Sequence, residues 1–149
     1  MPRHISILFP GQGSQHIGML DNLPTELVES FRGLALKALS FDLIDLIKNG
    51  NEEDLNKTSI TQPAILLTSF IYYKHLQNLT NIKADLMCGH SLGEYSALVA
   101  SNSITLDDAL KLVYQRGLLM ERSLKGSMYA ILNTDIDICL LYTSDAADE

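Results

Sequence analysis

The sequence predicts an α/β fold, a parallel sheet with flanking helices, and three observations carry that prediction. Two short apolar runs, Ile5-Ser6-Ile7-Leu8-Phe9 and Asp85-Leu86-Met87-Cys88-Gly89, end at Pro10-Gly11 and at Gly89, as short strands do. Stretches of helical spacing lie between and after them, and strands alternating with helices favour parallel crossovers. The second run passes through a Gly-x-Ser-x-Gly turn straight into a helical segment.

Taken in order, residues 5–9 read as a buried strand, followed by the glycine-rich loop Gly11-Gln12-Gly13-Ser14-Gln15. Pro24 and the spacing of Leu27, Val28, Phe31, Leu34, Ala35 and Ala38 predict a helix over 24–40. Leu43, Ile44, Leu46 and Ile47 predict a short helix that stops at Asn49-Gly50, and the polar stretch 51–58 a surface turn with a helical piece. Thr61-Gln62-Pro63 opens a helix to about Gln77, with proline in the first turn, where its missing N–H is no loss. Ala64, Ile65, Leu66, Leu67, Phe70, Ile71 and Tyr72 make this helix apolar nearly all round, so burial is expected. A strand at 85–89 and a helix over 92–100 follow. Thr105 with Asp108 caps a helix to about Leu124, and 128–132 reads as a further strand. There is no internal repeat and no low-complexity linker.

Composition narrows the function. Apolar residues are 46% and charged residues 19% of the 149, enough apolar content for a core and unlike a disordered chain. The net charge is −7, with Asp135, Asp137, Asp145, Asp148 and Glu149 crowded at one end, so there is no basic footprint for nucleic acid. No apolar run approaches the about 20 residues of a membrane span, and the N-terminus lacks the pattern of a secretory signal. Cys88 and Cys139 form neither a disulfide framework nor a metal site. A soluble cytoplasmic protein is expected, without metal or cofactor.

Gly89-His90-Ser91-Leu92-Gly93 is the sharpest feature. In a strand-to-helix turn this pattern is a nucleophile elbow: glycines at 89 and 93 let neighbouring backbone pass, and Ser91 stands exposed above the sheet. The N-terminus of the following helix aims backbone N–H groups at the same point, and that of Leu92 is the natural first donor to an oxyanion. His90 adjoins the serine, but successive side chains in an elbow diverge, so His90 is expected to pack away from Ser91 as a core histidine. Cys88 is expected to be a small buried residue. The Gly11 loop is not a dinucleotide fingerprint, because Ser14-Gln15-His16 stands where the third glycine is needed. Further along, Arg116 shares a helical face with Ala109, Leu112, Val113 and Met120, so an apolar stripe carries a guanidinium. Such an arginine needs an anion: a ligand carboxylate, a protein acid such as Glu94, or else an escape to water. Gln62, ahead of the helix-starting proline, and His90 are candidate pocket residues. His4, His16 and His75 show no catalytic pattern.

Gly89-His90-Ser91-Leu92-Gly93-Glu94-Tyr95-Ser96-Ala97 resembles the active-site segment of malonyl-CoA:acyl carrier protein transacylases and related acyltransferase domains. Phe9-Pro10-Gly11-Gln12-Gly13-Ser14-Gln15, Thr61-Gln62-Pro63-Ala64, Arg116-Gly117 with Met120, and Gly126-Ser127-Met128 with Ala130 resemble further segments of that family, over about 4–132. The resemblance implies an α/β-hydrolase-like core with a small ferredoxin-like subdomain that is largely missing. It implies that Ser91 is malonylated by malonyl-CoA and passes the group to acyl carrier protein for fatty acid biosynthesis, in the two-step logic of covalent catalysis. It assigns the oxyanion N–H groups to Gln12 and Leu92 and the substrate carboxylate to Arg116. The family's general base is a histidine downstream of residue 149.

The domain expectation is therefore that 1–132 is the N-terminal part of the large subdomain and 133–149 an atypical tail, foreign or truncated. The chain is expected to be an incomplete fragment, weakly active or inactive, of a protein that is monomeric at full length. Its start at Met1, close to the first strand, favours a stand-alone enzyme. The alternatives are a polyketide-type acyltransferase, a serine esterase using the same elbow, and a non-catalytic fragment. Arg122 or Lys125 is a candidate for receiving the acidic carrier protein.

Overall fold

The computed structural model describes residues 4–123, and its elements follow the predicted order. They are β1 (Ser6–Phe9), α1 (Thr25–Leu39), α2 (Leu43–Asn49), α3 (Glu52–Leu55), α4 (Thr58–Leu79), β2 (Leu86–Gly89), α5 (Leu92–Ala100) and α6 (Leu106–Arg122). The expected strand at 128–132, the segment from Gly126, Leu124, Lys125, Cys139 and the tail 133–149 lie outside the described residues.

β1 and β2 pair in parallel, with Ser6 opposite Leu86 and Phe9 opposite Gly89. The Asp85 carboxylate extends the ladder by accepting from the Ile5 N–H at 2.8 Å. Side chains alternate across a strand, and only one face is well covered. Ile7, Phe9 and Met87 pack into the core, whereas Leu8, Leu86 and Cys88 are exposed, Leu8 by 75%. This corrects two expectations, a buried strand at 5–9 and a buried Cys88. A continuous apolar run does not say which of its faces a neighbour covers.

The helices form for local reasons. Asp42 caps α2 and Asn51 caps α3, their side chains accepting from the Asp45 and Asp54 N–H groups at 3.0 and 2.8 Å. Thr105 accepts from the Asp108 N–H at 3.1 Å and donates to its carboxylate at 2.7 Å, the reciprocal cap that the sequence predicts for α6. α1 buries Val28, Ala35 and Leu39 along one stripe.

α4 is the hub, packing against α6, α5, α2, α3 and α1. Ala64, Ile65, Leu66, Leu67, Phe70 and Ile71 are buried as predicted, while Tyr72 faces outward. The helix begins at Thr58, three residues before the predicted start, so Pro63 lies inside it. The lost hydrogen bond is tolerable there, still near the N-terminus, and the start is stabilised by a tertiary contact: the Glu121 carboxylate on α6 accepts from the Ser59 N–H at 2.7 Å. α4 and α6 approach closely at Gly117, where an added Cβ would sit 2.5 Å from the Ser59 Cα.

Two tests follow from this packing. Gly117→Ala should destabilise the protein by roughly 1–3 kcal/mol, because backbone must move. Gly33→Ala, on an exposed face of α1 with nothing within 4 Å, should instead stabilise it by up to about 1 kcal/mol through helix propensity. Thermal unfolding of both variants checks this, and shifts of the same sign would contradict it.

The Arg32 guanidinium bridges Glu29 on its own helix and Asp42 at the start of α2. Burial opposes ionisation of Asp42, but the Asp45 N–H and Arg32 prevail and hold its carboxyl below the usual carboxylate range. Such a group stabilises the fold above its unfolded-state pKa, and that contribution is lost as pH falls through the lowered folded value. Asp42→Asn should therefore be less stable than wild type near neutral pH and converge with it in acid. An equal gap at every pH in a denaturation series would contradict this.

Candidate active site

The elbow is built by three backbone segments in contact. A Cβ on Gly93 would lie 2.3 Å from the Phe9 carbonyl oxygen, and one on Gly89 2.1 Å from the Gly93 carbonyl carbon. Only glycine permits α5 to start directly against the ends of β1 and β2. The turn between them holds Ser91 at φ 51° and ψ −104°, a conformation costly for a residue with a side chain. Ser91 is exposed, and Leu92 behind it is buried as the first residue of α5. An N–H at this position has no partner within the helix and is available to an oxyanion.

The glycine loop lies beside the elbow. A Cβ on Gly11 would be 3.0 Å from the His90 carbonyl oxygen, which brings Gln12 to the edge of the same site. The Gln12 side chain donates to Thr58 Oγ1, at the start of α4, at 3.4 Å. Gln15 braces the loop, accepting from the Gly13 N–H at 2.9 Å and donating to Asn56 at 2.8 Å.

Arg116 reaches the nucleophile from α6. Its Nη2 donates to Ser91 Oγ at 3.1 Å and its Nη1 to Gln62 Oε1 at 2.7 Å, and its guanidinium carbon is 5.8 Å from the centre of the Tyr95 ring. None of the ion pairs among the described residues includes Arg116. A cleft of about 400 Å³, lined by Leu112, Leu119 and Met120 among others, opens beside it. The arrangement therefore sets a serine hydroxyl and helix-start N–H groups next to a cation able to take a carboxylate.

A family model described as the acyl transferase domain matches residues 7–145. The chain belongs to the acyl transferase domain family. It is 44% identical over 140 residues to the malonyl CoA-acyl carrier protein transacylase of Haemophilus influenzae, covering 89% of this chain and 45% of that protein. Against the Escherichia coli protein of the same name it is 42% identical over 135 residues, covering 87% and 44%. The chain thus spans a little under half the length of these curated relatives. Among solved structures, an acyl-carrier-protein S-malonyltransferase from Burkholderia pseudomallei superposes with a TM-score of 0.86 at 36% identity, over 98% of this chain and 49% of that one. A malonyl-transacylase in complex with a type II PKS acyl-carrier protein gives a TM-score of 0.78 at 43% identity, over 83% and 40%.

In this acyl transferase chain, the residues singled out by sequence meet unevenly. Ser91, Arg116 and Gln62 converge, and Gln12 and Leu92 border them. Gln62 does not line an open pocket: it is fully buried behind Arg116. His90 is exposed rather than in the core, because the elbow sits at the open end of the sheet. The stripe assigned to Arg116 is also narrower than expected: Ala109 and Val113 are buried, but Leu112 and Met120 are exposed at the cleft. Glu94 is not the partner of Arg116. Sequence reasoning missed Gln15 and Glu121, whose partners Asn56 and Ser59 are too distant along the chain to leave a local signal.

The φ of Ser91 can be tested directly. Strain of about 1–3 kcal/mol, set against the roughly 0.5–1 kcal/mol entropic cost of glycine, means that Ser91→Gly should stabilise the fold slightly. Ser91→Ala should not. Equal melting temperatures for the two variants would show that the elbow is unstrained.

Proposed function

We propose that this chain carries the acyl-binding half of a malonyl-CoA:acyl carrier protein transacylase active site, acting in cytoplasmic fatty acid biosynthesis. The observation that carries this is the 3.1 Å contact between Arg116 and Ser91 Oγ, in a cation without a carboxylate partner among the described residues. In the first half-reaction, Ser91 Oγ attacks the thioester carbonyl of malonyl-CoA. The hydroxyl proton passes to a base, the C–S bond breaks, and the base returns that proton to the departing sulfur, so that CoA leaves as the thiol. Leu92 and Gln12 donate backbone N–H groups to the oxyanion. The second half-reaction reverses the chemistry onto the phosphopantetheine thiol of acyl carrier protein.

Arg116 selects the acyl group by charge and by reach. A guanidinium in contact with the nucleophile can hold a carboxylate only if that carboxylate lies very close to the acyl carbon, as in a malonyl group. A longer diacid would overshoot, and a neutral acyl chain would leave the cation without a counter-charge. The same feature weighs against a serine esterase, whose acyl pocket would be apolar. A polyketide-type carrier presents the same thiol, so that alternative shares this site. No histidine among the described residues bonds Ser91, and we assign the general base to a segment outside them. We further propose that residues 1–132 form the N-terminal part of the large subdomain.

Incubating the chain with malonyl-CoA across a pH series and weighing the intact protein tests this reading. A malonyl adduct confined to Ser91 is expected, forming faster as pH rises because hydroxide must stand in for the base. Arg116→Ala should slow malonyl labelling by roughly 10- to 100-fold, the worth of a charge-assisted hydrogen bond, while leaving acetyl labelling from acetyl-CoA unchanged or faster. Equal loss of both labels, or an adduct elsewhere, would reject the assignment.

A further inference from the structure

Gln62 is a fully buried polar side chain, 0% exposed, in the middle of the α4–α6 interface. Both ends of its amide are used. Oε1 accepts from Arg116 Nη1 at 2.7 Å, and Nε2 lies 3.2 Å from Met120 Sδ. Chemistry dictates this orientation, since a guanidinium has only donors to offer and a thioether only acceptor character. The amide cannot turn away, because α4 is buried around it and Gly117 brings α6 against the start of the same helix.

The identity of this partner matters. A part-buried guanidinium is ordinarily compensated by a carboxylate. Here the side chain that grips it is the uncharged counterpart of one, the same shape as glutamate but without the charge. Arg116 is thereby aimed at Ser91 Oγ and yet has no carboxylate partner among the described residues.

We propose that Gln62 is a positioning residue that sets the charge specificity of the acyl site: it fixes the Arg116 fork and, by being neutral, reserves its charge for the carboxylate of the acyl group. This rests on the assignment of Ser91 and Arg116 made above. A glutamate here would pair with Arg116 and fill the anion site from within, at the cost of setting its second oxygen against the Met120 sulfur. A methionine would preserve bulk and neutrality but release the fork.

The experiment is calorimetric titration of the chain with malonate and, separately, with sulfate, in wild type, Arg116→Ala, Gln62→Glu and Gln62→Met, with thermal unfolding of each. Wild type should bind malonate in preference to sulfate, and Arg116→Ala should lose that binding. Gln62→Glu should weaken malonate at least tenfold while still unfolding in a single cooperative transition. Gln62→Met should weaken malonate less than Gln62→Glu does, and should cut the malonate-over-sulfate preference at least threefold. That second readout decides the matter if Gln62→Glu fails to fold, because a merely structural role would weaken both anions in parallel. Malonate binding by Gln62→Glu within threefold of wild type, or an unchanged anion preference in Gln62→Met, overturns the role of Gln62 and leaves the site assignment standing. Failure of wild type to bind malonate overturns both.

Discussion

The tightest backbone approaches among the described residues lie at the start of α5, against the ends of both strands. Gly93 lies against the Phe9 and Pro10 carbonyl groups with no room for a Cβ, and Gly89 against Gly93 in turn. Strand, turn and helix are locked by backbone sterics rather than by any side chain. Ser91 has a positive φ because the chain must reverse within that space. The exposed hydroxyl, the helix-start N–H of Leu92 and the nearby glycine loop are consequences of one crowded crossing. The strain at Ser91 persists because the helix and two strands over-determine it.

A second close approach places Arg116. α6 lies against α4 at Gly117, and the residue before that glycine is Arg116. Because the two helices meet there, the guanidinium is delivered across the interface to Gln62 and past it to Ser91 Oγ. Glu121, one turn further along α6, caps the start of α4 from the same interface. The two approaches are mechanically joined through α4, which packs against both α5 and α6. Ser91, at the start of α5, and Arg116, on α6, are thus held in contact by one packed framework.

Legibility of the sequence varied with the range of the interaction. The caps of α2, α3 and α6 are formed by residues three apart, and Thr105 with Asp108 was readable because both partners stand in one short window. The start of α4 was misplaced at Thr61 because Pro63 suggests a first turn, whereas the actual first turn is stabilised by Glu121, far along the chain. The apolar runs at 5–9 and 85–89 announced strands but not their covered face, since Leu8 and Cys88 look as buriable as Phe9 and Met87. His90 was assigned to the core because successive side chains in an elbow diverge, but divergence from Ser91 does not say whether anything covers the side chain, and His90 is exposed.

By itself, the sequence determined the element order, the parallel strand pair and the serine elbow, because a turn's steric demands must be met by the residues within it, and Gly89, Ser91 and Gly93 record them. Resemblance of the surrounding motifs extended this to a family. Only the tertiary structure decided that Arg116 would meet Ser91 rather than Glu94, that Gln62 would stand behind the guanidinium instead of lining a pocket, and that Gln15 would brace the loop. Those choices depend on where two helices cross and how closely, a property of the packed interior as a whole that no local stretch of residues encodes.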